Sequence, residues 1–262
     1  MDKHSLLALA VEAAHAAGKI LRQGFGTSFN VTSKAGRHNL VTEYDLQCEE
    51  SIIAFLRAAT PDASFLAEES GETGLPGELV WVIDPLDGTV NFAHGIPIFC
   101  VSIAAVVNNI PVCGVIHQPL LNETFTSVQG EGAFLNGVRL HVSQTPTIQD
   151  SILVTGFPYN VHENPMHCIE TFSSVVGRGL PVRRLGSAAL DLAYIAAGRF
   201  DGYWEVELHE WDMAVGALLV TEAGGVVSHY RGRPFQLGKD NIVATNGLIH
   251  NELLAILSEV DV

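Results

Sequence analysis

Positive charge is in short supply in this sequence. Lysine and arginine number 14 against 29 aspartates and glutamates, a formal charge of -15. Such a balance repels a phosphate backbone, and the densest basic spots are only Arg183, Arg184, Arg231 and Arg233, so direct nucleic-acid binding is not expected. Cysteine is also scarce. Cys48, Cys100, Cys113 and Cys168 are scattered with no C-x-x-C pair, which suits reduced thiols in a cytoplasmic protein rather than a disulfide framework. No apolar run is long enough to span a bilayer, and the N-terminus has the pattern of an amphipathic helix rather than a signal peptide. His94, His117 and His209 lack H-E-x-x-H spacing, and no G-x-S-x-G or Cys/His pair offers a covalent nucleophile. Gly130-Glu131-Gly132 lacks the third glycine of a dinucleotide fingerprint and reads as a turn. Two matches to the glycosylation sequon, at Asn30 and Asn122, are of a kind that arises by chance.

What remains is an apolar fraction of 47%, ample for a real core in 262 residues. Leu6, Leu7, Ala10, Ala13, Ala14, Ala17 and Leu21 recur at helical spacing, with Gly24 closing the segment. A second helix is expected after Asp45, ending at Thr60-Pro61. Residues 99–128 turn β-rich, with a turn at Asn108-Asn109, and Asn136-Gly137 is a hairpin signal, so an antiparallel meander is predicted. The second half alternates: strand "SILVTG", a helix over 163–176, strand "PVRRLG", a helix headed by Ser187 as its cap, strand "FDGYWEVE", a helix from Trp211 closed by Gly224-Gly225, two strands, and a helix over 248–257. With no linker, repeat or low-complexity segment, we expect one domain of layered helices and sheets, in two packed lobes of about 1–150 and 151–262.

Acids stand where strands end or helices begin: Asp45, Glu68, Asp84 with Asp87, and Asp212. Each alone suits a helix cap or dipole partner. Asp84 and Asp87 differ, because "DPLDGT" follows the apolar run Val80–Ile83, and buried charge is costly unless compensated. With Pro85 fixing the backbone, both carboxylates can face one point with the Leu86 carbonyl between them, an all-oxygen set suited to Mg2+. Gly88 allows close backbone approach, and Thr89 can open a short helix whose free N–H groups favour an anion. A cation beside an anion-binding helix start describes a metal-bound phosphate ester. A phospho-aspartyl mechanism of the D-x-D-G-T type would need an acid two positions before Asp87, where Pro85 stands. Metal-activated water is therefore preferred.

The motifs "LVTEYD" (40–45), "AEES" (67–70), "DPLDGTVNF" (84–92), "GSAALDLAYIAAGRFDGYWE" (186–205) and "WDMAVGALLVTEAGG" (211–225) resemble the inositol monophosphatase family of Mg2+-dependent, lithium-sensitive phosphatases over nearly the whole chain. The resemblance implies an α+β fold, a five-layered αβαβα sandwich. It also implies two or three Mg2+ ions: Glu68, Asp84 and the Leu86 carbonyl would hold one, and Asp84, Asp87 and Asp212 a second. Glu68 and the Asp45–Thr89 pair would orient the attacking water, and the N–H groups of Gly88 and Thr89 would take phosphate oxygens. Glu205 falls where inositol-binding members place an acid that accepts sugar hydroxyls. Gly186, Ser187 and Ala188 would line the same pocket, with Arg184 and Asp212 beside the substrate. One departure is Asn39, where the family usually has Asp; Lys34 and Asp45 keep their spacing.

The expected substrate is a small polyol monophosphate, myo-inositol 1-phosphate first. Histidinol phosphate and sugar bisphosphates are the alternatives within the same chemistry. A non-catalytic partner of the transcription machinery is the alternative of another class. A homodimer is expected from the resemblance alone.

Overall fold

The computed structural model describes residues 1–33, 40–74, 77–239 and 241–260; the departure at Asn39 and the neighbouring Lys34 lie outside them. Helix α1, Lys3–Gly24, is capped by Asp2, whose carboxylate accepts the Ser5 N–H at 2.9 Å. Helix α2, Glu43–Ala59, begins two residues ahead of Asp45, because Thr42 takes the cap position and accepts the Tyr44 N–H through its hydroxyl. Both helices lay apolar stripes, Leu6, Ala10, Ala13, Ala17 and Leu21 with Cys48, Ile52 and Leu56, onto an eight-stranded sheet.

In spatial order that sheet runs Val138–Arg139, Gly132–Leu135, Glu123–Val128, Ile110–Gln118, Cys100–Val107, Leu79–Asp87, Ser64–Ala67 and Gly71–Thr73. The meander is present as expected, with Asn108, Asn109 and Asn136 at positive φ in its turns. One pair is parallel: Ser64–Ala67 beside Leu79–Asp87, with Ala67 opposite Ile83. A two-stranded ribbon, Val31–Ser33 with Leu40–Thr42, leads into α2.

The other face of the large sheet packs on the two central helices. These are α5, Ala188–Ala196, and α6, Glu210–Glu222, named in chain order after α3, Thr89–Ala93, and α4, Cys168–Gly177. Both central helices are buried nearly all round, as a middle layer must be. Beyond them lies a five-stranded mixed sheet: Val182–Arg183, Leu153–Thr155, Gly202–Val206, Asn241–Thr245 and Val226–Ser228. Helix α4 and the last helix, α7 (His250–Ser258), close its outer face through Val175, Leu253, Ile256 and Leu257. The order is helices, sheet, helices, sheet, helices: an α+β sandwich of five layers.

Several boundaries differ from expectation. The helix expected over 163–176 starts at Cys168, because Asn164 and His167 adopt left-handed backbone around Pro165, and the Asn164 side chain accepts the Ile169 N–H at 3.0 Å. The last helix starts at His250 rather than 248, and "PVRRLG" pairs only through Val182–Arg183. No helix among the described residues is long and apolar enough to cross a membrane.

Candidate active site

The strand Leu79–Asp87 explains how two acids three residues apart can act together. In a regular strand they would face opposite sides of the sheet. Here Asp84 lies opposite Ser102 and Asp87 opposite Cys100, so one extra residue has been inserted between them. Cys100 and Ser102 share a face, and the bulge therefore brings both aspartates onto that same face, toward the central helices. Pro85, which cannot donate to a ladder, sits inside the bulge. Because Ser64–Ala67 runs parallel to this strand, Glu68 leaves its own strand at the same edge, with its N–H on the Ile83 carbonyl at 3.2 Å.

Four helices start at this edge, and an acid is tied to each start. Asp45, in the first turn of α2, accepts the Thr42 N–H (2.8 Å) and hydroxyl (2.5 Å) on Oδ2 and faces the Thr89 hydroxyl, 3.0 Å from Oδ1. Thr89 opens α3 behind Gly88, whose φ of 95° and tight packing, with the Ile98 carbonyl 2.8 Å from where a Cβ would sit, require glycine. Asp87 heads α5: its Oδ2 accepts the Ala189 N–H at 2.8 Å and the Ser187 hydroxyl at 2.6 Å. Ser187 thus occupies the cap position but gives its hydroxyl to Asp87, which does the capping instead. Asp212, in the first turn of α6, accepts the His209 N–H at 2.7 Å on Oδ2, and the His209 ring stacks on Trp211. Capping does not exclude the site roles expected for these acids, since a carboxylate has two oxygens. The N-terminal dipoles partly offset the concentrated negative charge and favour an incoming phosphate.

Electrostatics show how closely the acids gather. Burial, then the charges of Glu68, Asp87 and Asp212, push the Asp84 carboxyl well above its usual range. Asp212 is raised in the same way, by burial and then Asp87. Burial lifts Asp87 to about 6 against the bonds from Ser187 and Ala189, and lifts Asp45 to about 6 against those from Thr42 and Thr89. Asp84 is anchored through Oδ1 to the Leu86 N–H (2.9 Å), and the Leu86 carbonyl faces the Thr89 hydroxyl at 3.0 Å. Among the described residues, no three acid, histidine or cysteine side chains form a ready-made shell around one point. An oxygen-only set supplying one or two carboxylates per ion, with water and phosphate completing the sphere, is nevertheless what Mg2+ takes. The mutual repulsion of Glu68, Asp84, Asp87 and Asp212 is what divalent cations would relieve. The donors fit the metal.

The residues expected to face substrate lie on the second sheet and around the start of α5. Glu205, buried in Gly202–Val206, accepts the Tyr203 hydroxyl on Oε2 at 2.6 Å; burial lifts its carboxyl to about 7, with Arg184 pulling the other way. Gly186 and Ala188 flank buried Ser187 at the head of α5. The loop before them is tied to α3 by Asn91, whose amide nitrogen lies 2.8 Å from the Leu185 and Ile98 carbonyls.

Two residues gave no sequence signal. Glu49, one turn beyond Asp45 and buried, accepts the Glu69 and Ser70 N–H groups, each at 2.9 Å, and so fixes the turn after Glu68. Tyr159, on the loop after Leu153–Thr155, has a phenol held above its ordinary range by desolvation and by Glu68, Asp87, Asp84 and Asp212. The residue is itself more than half exposed. Only spatial neighbours reveal either residue.

Comparison with known proteins bears on the family and the fold. The inositol monophosphatase family profile matches residues 2–261. An inositol-1-monophosphatase of Synechocystis is 42% identical over 258 residues, covering 98% of this chain and 90% of its own. The Nus factor SuhB of Pseudomonas aeruginosa is 42% identical over 259 residues, 96% and 95% of the two chains. The crystal structure of the extragenic suppressor protein suhB from Bartonella henselae superposes with a TM-score of 0.91 at 39% identity, covering 97% of this chain and 99% of that one. Profile, relatives and architecture agree: the chain belongs to the inositol monophosphatase family.

Proposed function

We propose that the chain is a Mg2+-dependent phosphatase that hydrolyses small polyol monophosphates, myo-inositol 1-phosphate foremost, by direct attack of water on phosphorus. The observation that carries this is the convergence of Glu68, Asp84, Asp87 and Asp212 with the starts of four helices. Glu68, Asp84, the Leu86 carbonyl, Asp87 and Asp212 would hold Mg2+, which when bound lowers the pKa of water and neutralises phosphoryl charge.

The protein's own residues take the remaining parts of the reaction. The N–H groups of Gly88 and Thr89 open α3 and receive the phosphate oxygens. Glu68 and Thr89 would align a water for in-line attack. As it loses its proton to Thr89 Oγ1, the Thr89 proton passes to Asp45 Oδ1, 3.0 Å away. Burial that lifts Asp45 to about 6 makes it a better proton acceptor than an ordinary aspartate. Glu205 accepts hydroxyls of the polyol, and Arg184 offsets its charge. The oxygen of the departing alkoxide takes a proton from solvent.

The test is release of inorganic phosphate from a panel of esters with Mg2+ titration. Saturable dependence on Mg2+, with inositol 1-phosphate preferred and lithium inhibitory, is the expected result. Preference for histidinol phosphate or a sugar bisphosphate would replace the substrate assignment, and no release from any ester would refute the chemistry.

The relative named Nus factor SuhB, 42% identical, supports a second reading, a role as a partner of the transcription machinery. Asp87→Asn separates the two: hydrolysis collapses, whereas a binding role survives.

A further inference from the structure

The Glu205 carboxylate occupies a space that exists only because residue 156 has no side chain. Gly156 directly follows the strand Leu153–Thr155, and Thr155 pairs in parallel register with Trp204, which sets Gly156 beside Glu205. A Cβ built on Gly156 would overlap Glu205 Oε1, Oε2 and Cδ, all well inside contact distance. The backbone of Gly156 is outside the left-handed region, so the conformation itself does not demand glycine. Room for the carboxylate does.

A second restraint comes from the same strand. Tyr203 lies two residues before Glu205 and therefore on the same face. Its fully buried hydroxyl donates to Oε2 at 2.6 Å. Asp191 of α5 is buried nearby, its carboxyl pushed well above the usual range by burial and then by Glu205, and Arg184 adds positive charge that favours the Glu205 carboxylate. A carboxylate so placed is held in one orientation before a ligand arrives: Oε2 is committed to Tyr203, and Oε1 is the acceptor left to read a ligand.

We propose that Gly156 and Tyr203 are positioning residues that pre-set Glu205, and that this pre-setting makes the enzyme select phosphate esters of polyhydric alcohols over esters without hydroxyl groups. The proposal rests on the assignment of Glu205 as hydroxyl acceptor. Rigid placement matters because a hydrogen bond to a charged acceptor discriminates only if its geometry is fixed before binding.

Gly156→Ala tests it. The overlapping atoms are the end of a flexible side chain, so the variant is expected to fold and to displace Glu205 rather than break the sheet; thermal unfolding checks this. The readout is kcat/KM for inositol 1-phosphate relative to p-nitrophenyl phosphate, which has no hydroxyl to read. A lost charge-assisted bond predicts a fall in that ratio of about 10- to 100-fold, with the aryl ester unaffected. Tyr203→Phe should lower the ratio by about 3- to 10-fold. Glu205→Ala should match Gly156→Ala, and the double variant should be no worse than either. Equal losses on both esters, or losses that multiply in the double variant, overturn the positioning role. If Glu205→Ala leaves the ratio unchanged, Glu205 does not read hydroxyls and the proposal falls with that assignment; phosphate release would still stand.

Discussion

Glu49 offers the sharpest test of how the site is held together, because it touches none of the reacting atoms. Its carboxylate, buried on α2, accepts two backbone N–H groups from the turn that carries Glu68, at 2.9 Å each. Each such bond to a charged group contributes about 1.5–3 kcal/mol. Glu49→Ala removes both, but the exposed Ser70 end can be rehydrated, so the lower end of the sum applies, about 3 kcal/mol. Glu49→Gln keeps one acceptor and turns an NH2 toward the other N–H, for about 2 kcal/mol. In a chain of this size that lowers Tm by about 5 °C. The catalytic effect should exceed the stability effect. Releasing the turn loosens the backbone that carries Glu68, and for the water-orienting role proposed for it, misplacement by about 1 Å costs on the order of 100-fold in kcat. Urea unfolding and steady-state phosphate release on Glu49→Gln decide the matter. A variant within about 0.5 kcal/mol of wild type and with unaltered kcat would refute the claim that this clamp positions Glu68.

Other expectations follow from buried groups and from Gly88. Glu205 is raised from 4.5 to about 7, so its contribution is fully favourable below pH 4.5 and lost as pH rises through 7. Glu205→Gln should therefore be about 3 kcal/mol more stable than wild type at pH 8, a gain that vanishes below pH 4.5 in urea titrations. His117, buried against α1 and 3.0 Å from the Thr124 hydroxyl, is lowered to about 4 by burial and then by His15. The unfolded chain gains that proton first as pH falls from 6.5. Wild type should thus lose about 2.5 kcal/mol more than His117→Gln between pH 7 and 4.5, and parallel curves would contradict the assignment. Gly88→Ala meets both a left-handed backbone and the Ile98 carbonyl. It should cost at least about 2 kcal/mol and abolish measurable turnover, as differential scanning calorimetry and phosphate release would report.

Much of this molecule was legible in the residue string because the relevant signals are local. The stripe Leu6–Leu21, the Asn108-Asn109 and Asn136-Gly137 turns and the glycines closing α6 each announce an element from within a few residues. Boundaries failed where a side chain chose an unexpected backbone partner. Thr42 moved the start of α2, and Asn164 with His167 delayed α4 to Cys168. Ser187 stands where a cap should, yet its hydroxyl goes to a carboxylate a hundred residues away, a choice no local pattern contains.

The order of residues determined the acids, the proline between Asp84 and Asp87, the glycine at 88 and the layered alternation of helices and strands. It could not determine that Asp84 and Asp87 share a face, because spacing alone puts residues three apart on opposite sides of a strand; only pairing with Cys100–Val107 creates the bulge that aligns them. Nor could it reveal Glu49 behind Glu68, or Gly156 making room for Glu205. Those relations join segments distant along the chain, and their energies exist only after packing has brought the partners within hydrogen-bonding reach and excluded water from between them.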